Sequence, residues 1–139
     1  EKGKISSKEF EEIDVISNKS SVGVLSAAQE DKIIKRIKKA KKEGDSLGGT
    51  CVIIASNLPV GLGSFVHYER RLDTLISKNV MSINALKAIE FGKGFAIADL
   101  AGSKVHDEII NEDENYTRAT NFAGGMEGGI SNGMPVVIR

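Results

Sequence analysis

Five of the ten residues in Gly124-Gly125-Met126-Glu127-Gly128-Gly129-Ile130-Ser131-Asn132-Gly133 are glycine. Glycine has no Cβ, so it reaches positive φ freely and lets other groups touch the backbone, at an entropic cost. A chain that orders two Gly-Gly pairs so close together is turning sharply, packing backbone on a neighbour, or bringing main-chain N–H groups against a ligand. The run has no G-x-G-x-x-G spacing and no Lys-Ser/Thr after its glycines. Neither the dinucleotide fingerprint nor the P-loop applies. On residues alone it is a turn or backbone-contact element, with a ligand site as the alternative.

The rest of the chain supplies both helix and strand signals. Residues 1–21 are polar, with a short apolar alternation at Ile13, Val15 and Ile16 that suggests an edge strand or a loose lead-in. Val22–Leu25 reads as a brief strand. Ser26 is placed to cap a helix over about 28–43, with Gln29 completing a capping box. Ile33, Ile34, Ile37 and Ala40 share one face of it, and Gly44 stops it. Thr50–Ser56 is β-branched and apolar, which predicts a buried strand holding Cys51. Residues 57–64 form a turn-rich loop. A second helix is predicted from about Val66 to Asn79, with Leu72, Leu75 and Ile76 inward. Ala85–Phe91 and Phe95–Leu100 read as strands joined across Gly92-Lys93-Gly94. Gly102–Ile110 has room for a short helix, with Asp107 and Glu108 at its positive end. Asn111–Tyr116 reads as an exposed loop. Met134–Ile138 reads as a strand whose partner is not supplied, and the chain looks cut at Arg139. Helix and strand alternate, but the hairpin signal favours mixed or antiparallel sheets over a doubly wound parallel one.

Few classes of chemistry survive this pass. Nineteen basic and nineteen acidic residues cancel, which gives no general support for a nucleic-acid or membrane-surface binder. The lysines of helix 28–43 nonetheless leave a non-catalytic interaction or nucleic-acid module as the alternative reading. An amphipathic helix with a solvated basic face explains them more simply. His67 and His106 have no second ligand at metal spacing, so no metal site is expected. A single cysteine cannot form an intrachain disulfide and suits a reducing, cytoplasmic compartment. Glu69, Arg70, Arg71 and Asp73 form a charged cluster, read as a surface ion-pair group with a phosphate or carboxylate clamp as the alternative.

Several segments together resemble one family. They are Gly44-Asp45-Ser46-Leu47-Gly48-Gly49, Pro59-Val60-Gly61-Leu62-Gly63-Ser64, Met81-Ser82-Ile83-Asn84-Ala85-Leu86-Lys87 with Glu90-Phe91-Gly92, and Gly102-Ser103 with Asp107-Glu108-Ile109. Arg118-Ala119-Thr120-Asn121 and the glycine run complete the series. In this order they closely resemble chorismate synthase over about residues 22–139, with 1–21 a loosely matching lead-in. The resemblance implies one α+β domain in which helices are layered between two antiparallel sheets, assembled as a homotetramer. It implies a lyase that removes phosphate from 5-enolpyruvylshikimate 3-phosphate by anti-1,4-elimination, giving chorismate for aromatic amino acid biosynthesis. The implied cofactor is reduced FMN, reduced either by NADPH on the enzyme or by an outside reductant. No nucleic acid or membrane partner is implied.

The family's flavin contacts fall on Asn84, Ala85 and Gly128. Asn offers a donor and an acceptor to a flavin's polar edge or phosphate tail. Ala and Gly let backbone lie close to a flat ring. The family's catalytic histidines, phosphate-clamping arginines and catalytic aspartate fall outside these 139 residues, and His67 and His106 do not occupy those positions. The resemblance is to the central part of the enzyme, so the chain alone is expected to bind flavin weakly or not at all and to turn over nothing.

Overall fold

The computed structural model describes residues 7–112 and 115–139. The chain divides into two compact units, Ile5–Thr50 and a larger one that includes Cys51–Arg139.

The first unit holds helices α1 (Ser7–Lys19) and α2 (Ala27–Glu43). The edge strand or loose lead-in expected around Ile13–Ile16 is therefore helical. No Gly or Pro interrupts residues 4–22, acids fill its first half and Lys19 lies in its last turn, all favourable to a helix and its dipole. Ile13 and Ser17 are half-buried one turn apart while Val15 and Ile16 are exposed, so helical spacing overrides the apparent alternation. Val22–Leu25 is a turn rather than a strand, because Gly23 sits at φ 69°. Ser26 is the N-cap of α2, but its side chain makes no capping bond. Glu30, not Gln29, reaches back, accepting Ser21 N–H (2.9 Å) and Ser21 Oγ–H (2.6 Å). The serine hydroxyl is the first cause holding the Glu30 carboxyl below its ordinary range. Gly44 ends α2 as expected, at φ 69°, with Asp45 N–H closing on the Ala40 carbonyl at 2.9 Å.

In the second unit, β1 (Ile53–Ala55) is shorter than predicted. It pairs antiparallel with β6 (Val136–Ile138), in the register Ile53↔Ile138 and Ala55↔Val136. The terminal strand thus has its partner within the chain. Phe91 bridges the other side of Ile138, leaving β1 at the edge of its sheet among the described residues. Cys51, Val52 and Ile53 are exposed for that reason, not buried as their apolar character suggested.

Helix α3 (Leu72–Met81) starts later than predicted, after a 3₁₀ turn at Tyr68–Arg70. The Ser64 hydroxyl accepts Val66 and His67 N–H, both at 3.2 Å, and holds this approach out of α-helix. Leu75 stays substantially exposed, while Leu72 and Ile76 are half-buried.

The strand pair expected over 85–100 is absent, and Gly94–Asp99 is 3₁₀ helix. The backbone groups of 90–93 pair elsewhere. Glu90 exchanges two 2.8 Å bonds with Arg139, Gly92 N–H donates to Val137 O, and Lys93 N–H donates to Phe122 O. The Glu90 carboxylate then accepts Phe95 N–H at 3.1 Å and curls the following residues.

Gly102–Lys104 is a single 3₁₀ turn, and the rest of the helix expected there is turn and irregular backbone as far as residue 108, with strand from Ile109. β2 (Ile109–Glu112) pairs with β3 (Asn115–Arg118), Glu112 opposite Asn115. The flanks of the loop expected at 111–116 are therefore a hairpin, and residues 113–114 lie outside the described residues. β4 (Met126–Glu127) and β5 (Ile130–Ser131) form the last sheet. Helices with small antiparallel sheets make the chain α+β, as expected. Among the described residues the fully buried side chains are Ser131, in the glycine run, and Val136, three residues beyond it.

Candidate functional site: the glycine hairpin and its surroundings

Gly128 and Gly129 join β4 to β5, with φ of 59° and 89°. Positive φ at both central residues is the two-residue hairpin geometry whose twist matches that of strands, and glycine supplies it without steric cost. Loop 59–64 docks along the outer side of β5. Gly61 N–H donates to Ser131 O (2.9 Å), Ser131 N–H to Leu62 O (3.0 Å), and Gly63 bridges Ile130. The Ser131 hydroxyl, wholly buried, donates to Pro59 O at 2.6 Å and accepts Leu62 N–H at 2.9 Å. Gly129 O accepts Leu72 N–H at 2.8 Å, satisfying a free donor at the start of α3.

The glycines divide into two kinds. At Gly125 a Cβ would lie 2.5 Å from Pro135 O, and at Gly129 it would lie 2.7 Å from both Arg71 Cγ and Ser64 O. Gly92 and Gly124 cross backbone to backbone, a Cβ on Gly124 coming 2.6 Å from Gly92 Cα. These are packing glycines. Gly128 is exposed, and a Cβ there would meet no atom within 4 Å. Its requirement is conformational only, and its backbone face is bare.

Asn84 and Ala85 lie in the exposed turn after α3. Ala85 sits at φ 70°, a left-handed conformation that costs an L-residue of order 1–3 kcal/mol and concentrates at functional sites. The structure does not gather these residues and Gly128 into one contact cluster. Gly129, beside Gly128, is anchored at the first residue of α3, and Asn84 follows the last. Ten helical residues separate the two attachment points, about 15 Å at 1.5 Å per residue. A flat, extended cofactor fits such a span better than a small ion does. The bare backbone at Gly128 and the exposed amide of Asn84 also fit a flavin.

The charged cluster resolves into an ion pair. Arg71 donates from Nε to Asp73 Oδ1 (3.0 Å) and from Nη2 to Oδ2 (2.6 Å). That bond is the first cause holding the Asp73 carboxyl below its usual value. Thr74 N–H assists, and partial burial opposes. A depressed folded pKa adds stability that is present above the unfolded value of about 3.9 and lost as pH falls through the folded one. Wild type is therefore expected to be more stable than Asp73→Asn at pH 7. The gap should close as urea midpoints are measured at progressively lower pH below that range. A gap unchanged in acid would contradict the pair's role.

His67 and His106 are exposed, and the basic residues of α2 from Lys32 to Lys42 all face solvent, as an amphipathic helix requires. Among the described residues no helix is long and apolar enough to cross a membrane.

Two polar centres escaped sequence reasoning. Asp107, expected to start a helix, is buried, and its carboxylate accepts Thr120 Oγ1–H (2.5 Å), Phe122 N–H (2.7 Å) and Ala123 N–H (2.9 Å). Glu127 Oε2 accepts Arg118 Nε–H (3.0 Å), Arg118 Nη2–H (2.8 Å) and Asn132 Nδ2–H (2.7 Å). The two centres join residues five to sixteen positions apart, a spacing that matches no helix or strand period in the sequence.

Residues 3–139 match the family model described as chorismate synthase. "Chorismate synthase 2" of Bacillus thuringiensis subsp. konkukian (strain 97-27) is 48% identical over 136 residues, covering 97% of this chain and 35% of the relative. "Chorismate synthase 1" of Bacillus anthracis gives the same figures. A solved structure titled "Crystal Structure of Chorismate Synthase" aligns with TM-score 0.85 and 39% identity, over 91% of this chain and 38% of that one. The chain thus spans about a third of the length of the curated relatives it matches.

Proposed function

The chain belongs to the chorismate synthase family, and from that premise we propose that residues 22–139 are the central part of a single enzyme domain that contributes one wall of a flavin site. The overall reaction is loss of phosphate from 5-enolpyruvylshikimate 3-phosphate by anti-1,4-elimination, giving chorismate. Residues outside these 139 supply the acids and the phosphate clamp. The assembled enzyme is a cytoplasmic homotetramer. Reduced FMN, held by Asn84, Ala85 and Gly128, would supply the transient electron density that the elimination requires.

This chain's own part is to bind, orient and exclude water. Gly128 offers backbone without a side chain, so a planar ring can lie against the hairpin tip. Asn84 presents its carboxamide to the cofactor's polar edge or phosphate tail. Ala85 holds the backbone of that turn in its left-handed conformation with only a methyl group in the way. The observation that carries this reading is the contrast within the glycine run: Gly124, Gly125 and Gly129 are buried and packed, and Gly128 is open. The hairpin accounts for a glycine at 128, and its uncrowded, exposed face leaves room for a ligand to lie against the backbone.

The test uses the full-length polypeptide that carries these residues. Gly128→Ala should cost only about 1 kcal/mol of stability, the penalty of placing an L-residue at positive φ. It should weaken FMN binding tenfold or more, because a methyl now stands on the contacted face. A fluorescence titration with FMN reads the second effect and urea unfolding the first. Unchanged FMN affinity in the variant would remove Gly128 from the site. Failure of the wild-type polypeptide to bind FMN or form chorismate would overturn the functional reading itself.

A further inference from the structure

Residues 118–127 form a closed loop. Its ends are joined by the Arg118–Glu127 ion pair, and its interior is braced by Asn121. The Asn121 carboxamide accepts Gly125 N–H (2.8 Å) and donates to Pro135 O (2.8 Å). The loop is wrapped round the Asp107 carboxylate, which takes three donors from residues 120–123. Asp107 is the buried carboxylate among the described residues. Burying a carboxylate is costly unless donors satisfy it, and a carboxylate accepting several N–H and O–H bonds holds their relative positions tightly. What the charge fixes is the path into the Gly92–Gly124 crossing, Gly125, and then Met126-Glu127-Gly128.

We propose that Asp107 is a positioning residue for the flavin site: its carboxylate sets the backbone of residues 120–123 and thereby the height and angle at which Gly128 is presented. The proposal rests on the flavin reading given above. Asp107 does not touch the cofactor or the reacting atoms. Its effect runs through Thr120, Phe122 and Ala123 to the hairpin.

Asp107→Asn keeps one acceptor oxygen but turns an NH2 donor toward backbone N–H donors, so the loop must shift. In the full-length polypeptide this variant is expected to weaken FMN binding tenfold or more and to change the visible absorption spectrum of the bound flavin. The kcat at saturating FMN should stay within about threefold of wild type, because no catalytic group is lost. The control is Ile34→Ala in α2, which removes a half-buried side chain far from this loop in sequence and lowers stability. If Asp107→Asn does not accumulate as folded protein, Thr120→Val removes one donor to the carboxylate and Thr120→Ser restores it. The first should weaken FMN binding and the second should not. FMN affinity and spectrum in Asp107→Asn, or in Thr120→Val, no different from those of Ile34→Ala would overturn the proposal while leaving the flavin reading intact. Absence of FMN binding by the wild-type polypeptide would overturn both.

Discussion

Gly124→Ala is expected to destabilise the C-terminal unit by about 3–4 kcal/mol, a large part of the 5–15 kcal/mol a domain typically has. Two costs add. Gly124 sits at φ 68°, where an L-residue costs about 1–2 kcal/mol. The new methyl would also press into the Gly92 backbone, 2.6 Å from its Cα, and overpacking of this kind costs about 1–3 kcal/mol. Backbone cannot rotate aside as a flexible side chain can, and Gly92 is itself held by its bond to Val137 O. Thermal unfolding should show a midpoint lower by more than about 10 °C. Gly128→Ala is the internal comparison, because it shares the positive φ but faces open space. Equal losses in the two variants would show that the crossing at Gly92 relaxes freely.

Ser131→Ala carries the second large effect, about 2–4 kcal/mol. The deleted hydroxyl leaves Leu62 N–H and Pro59 O without that partner in a site from which the serine is wholly excluded from solvent. A buried polar group left unpaired costs about 1–3 kcal/mol. The urea midpoint should fall with an unchanged slope, and the Leu62 amide should lose its protection from hydrogen exchange. A loss under about 1 kcal/mol, with Leu62 still protected, would show that loop 59–64 is held by its backbone bonds to β5 alone.

What the sequence discloses follows the range of the forces involved. Helix α2, its cap at Ser26, its stop at Gly44 and the turn-rich loop 57–64 are local, and each is legible from neighbouring residues. The tight turn at Gly128-Gly129 is legible for the same reason, and its division into open and packed glycines is not, because the atoms that crowd Gly129 belong to Ser64 and Arg71. The segment 85–100 misleads because it is rich in apolar residues around a Gly-Lys-Gly turn signal, while the hydrogen-bonding partners of residues 90–93 are Phe122, Val137 and Arg139. Residues Asn84, Ala85 and Gly128 were singled out by family resemblance. Asp107 and Ser131, which hold the surrounding loops in place, carry no local mark.

The pairing of β1 with β6 also bears on how the unit comes to exist. Ile53 meets Ile138, partners 85 positions apart by subtraction of those numbers, and closing a loop of that length costs about 4 kcal/mol of chain entropy beyond a constant. Contacts of such long range slow folding. During synthesis helices α1 and α2 can form early from local contacts, whereas the pairing of β1 with β6 waits until residues 136–138 have been made. Throughout that interval an apolar, β-branched strand is open to pairing with other chains. The exposure of β1 to aggregation is therefore greatest before β6 arrives.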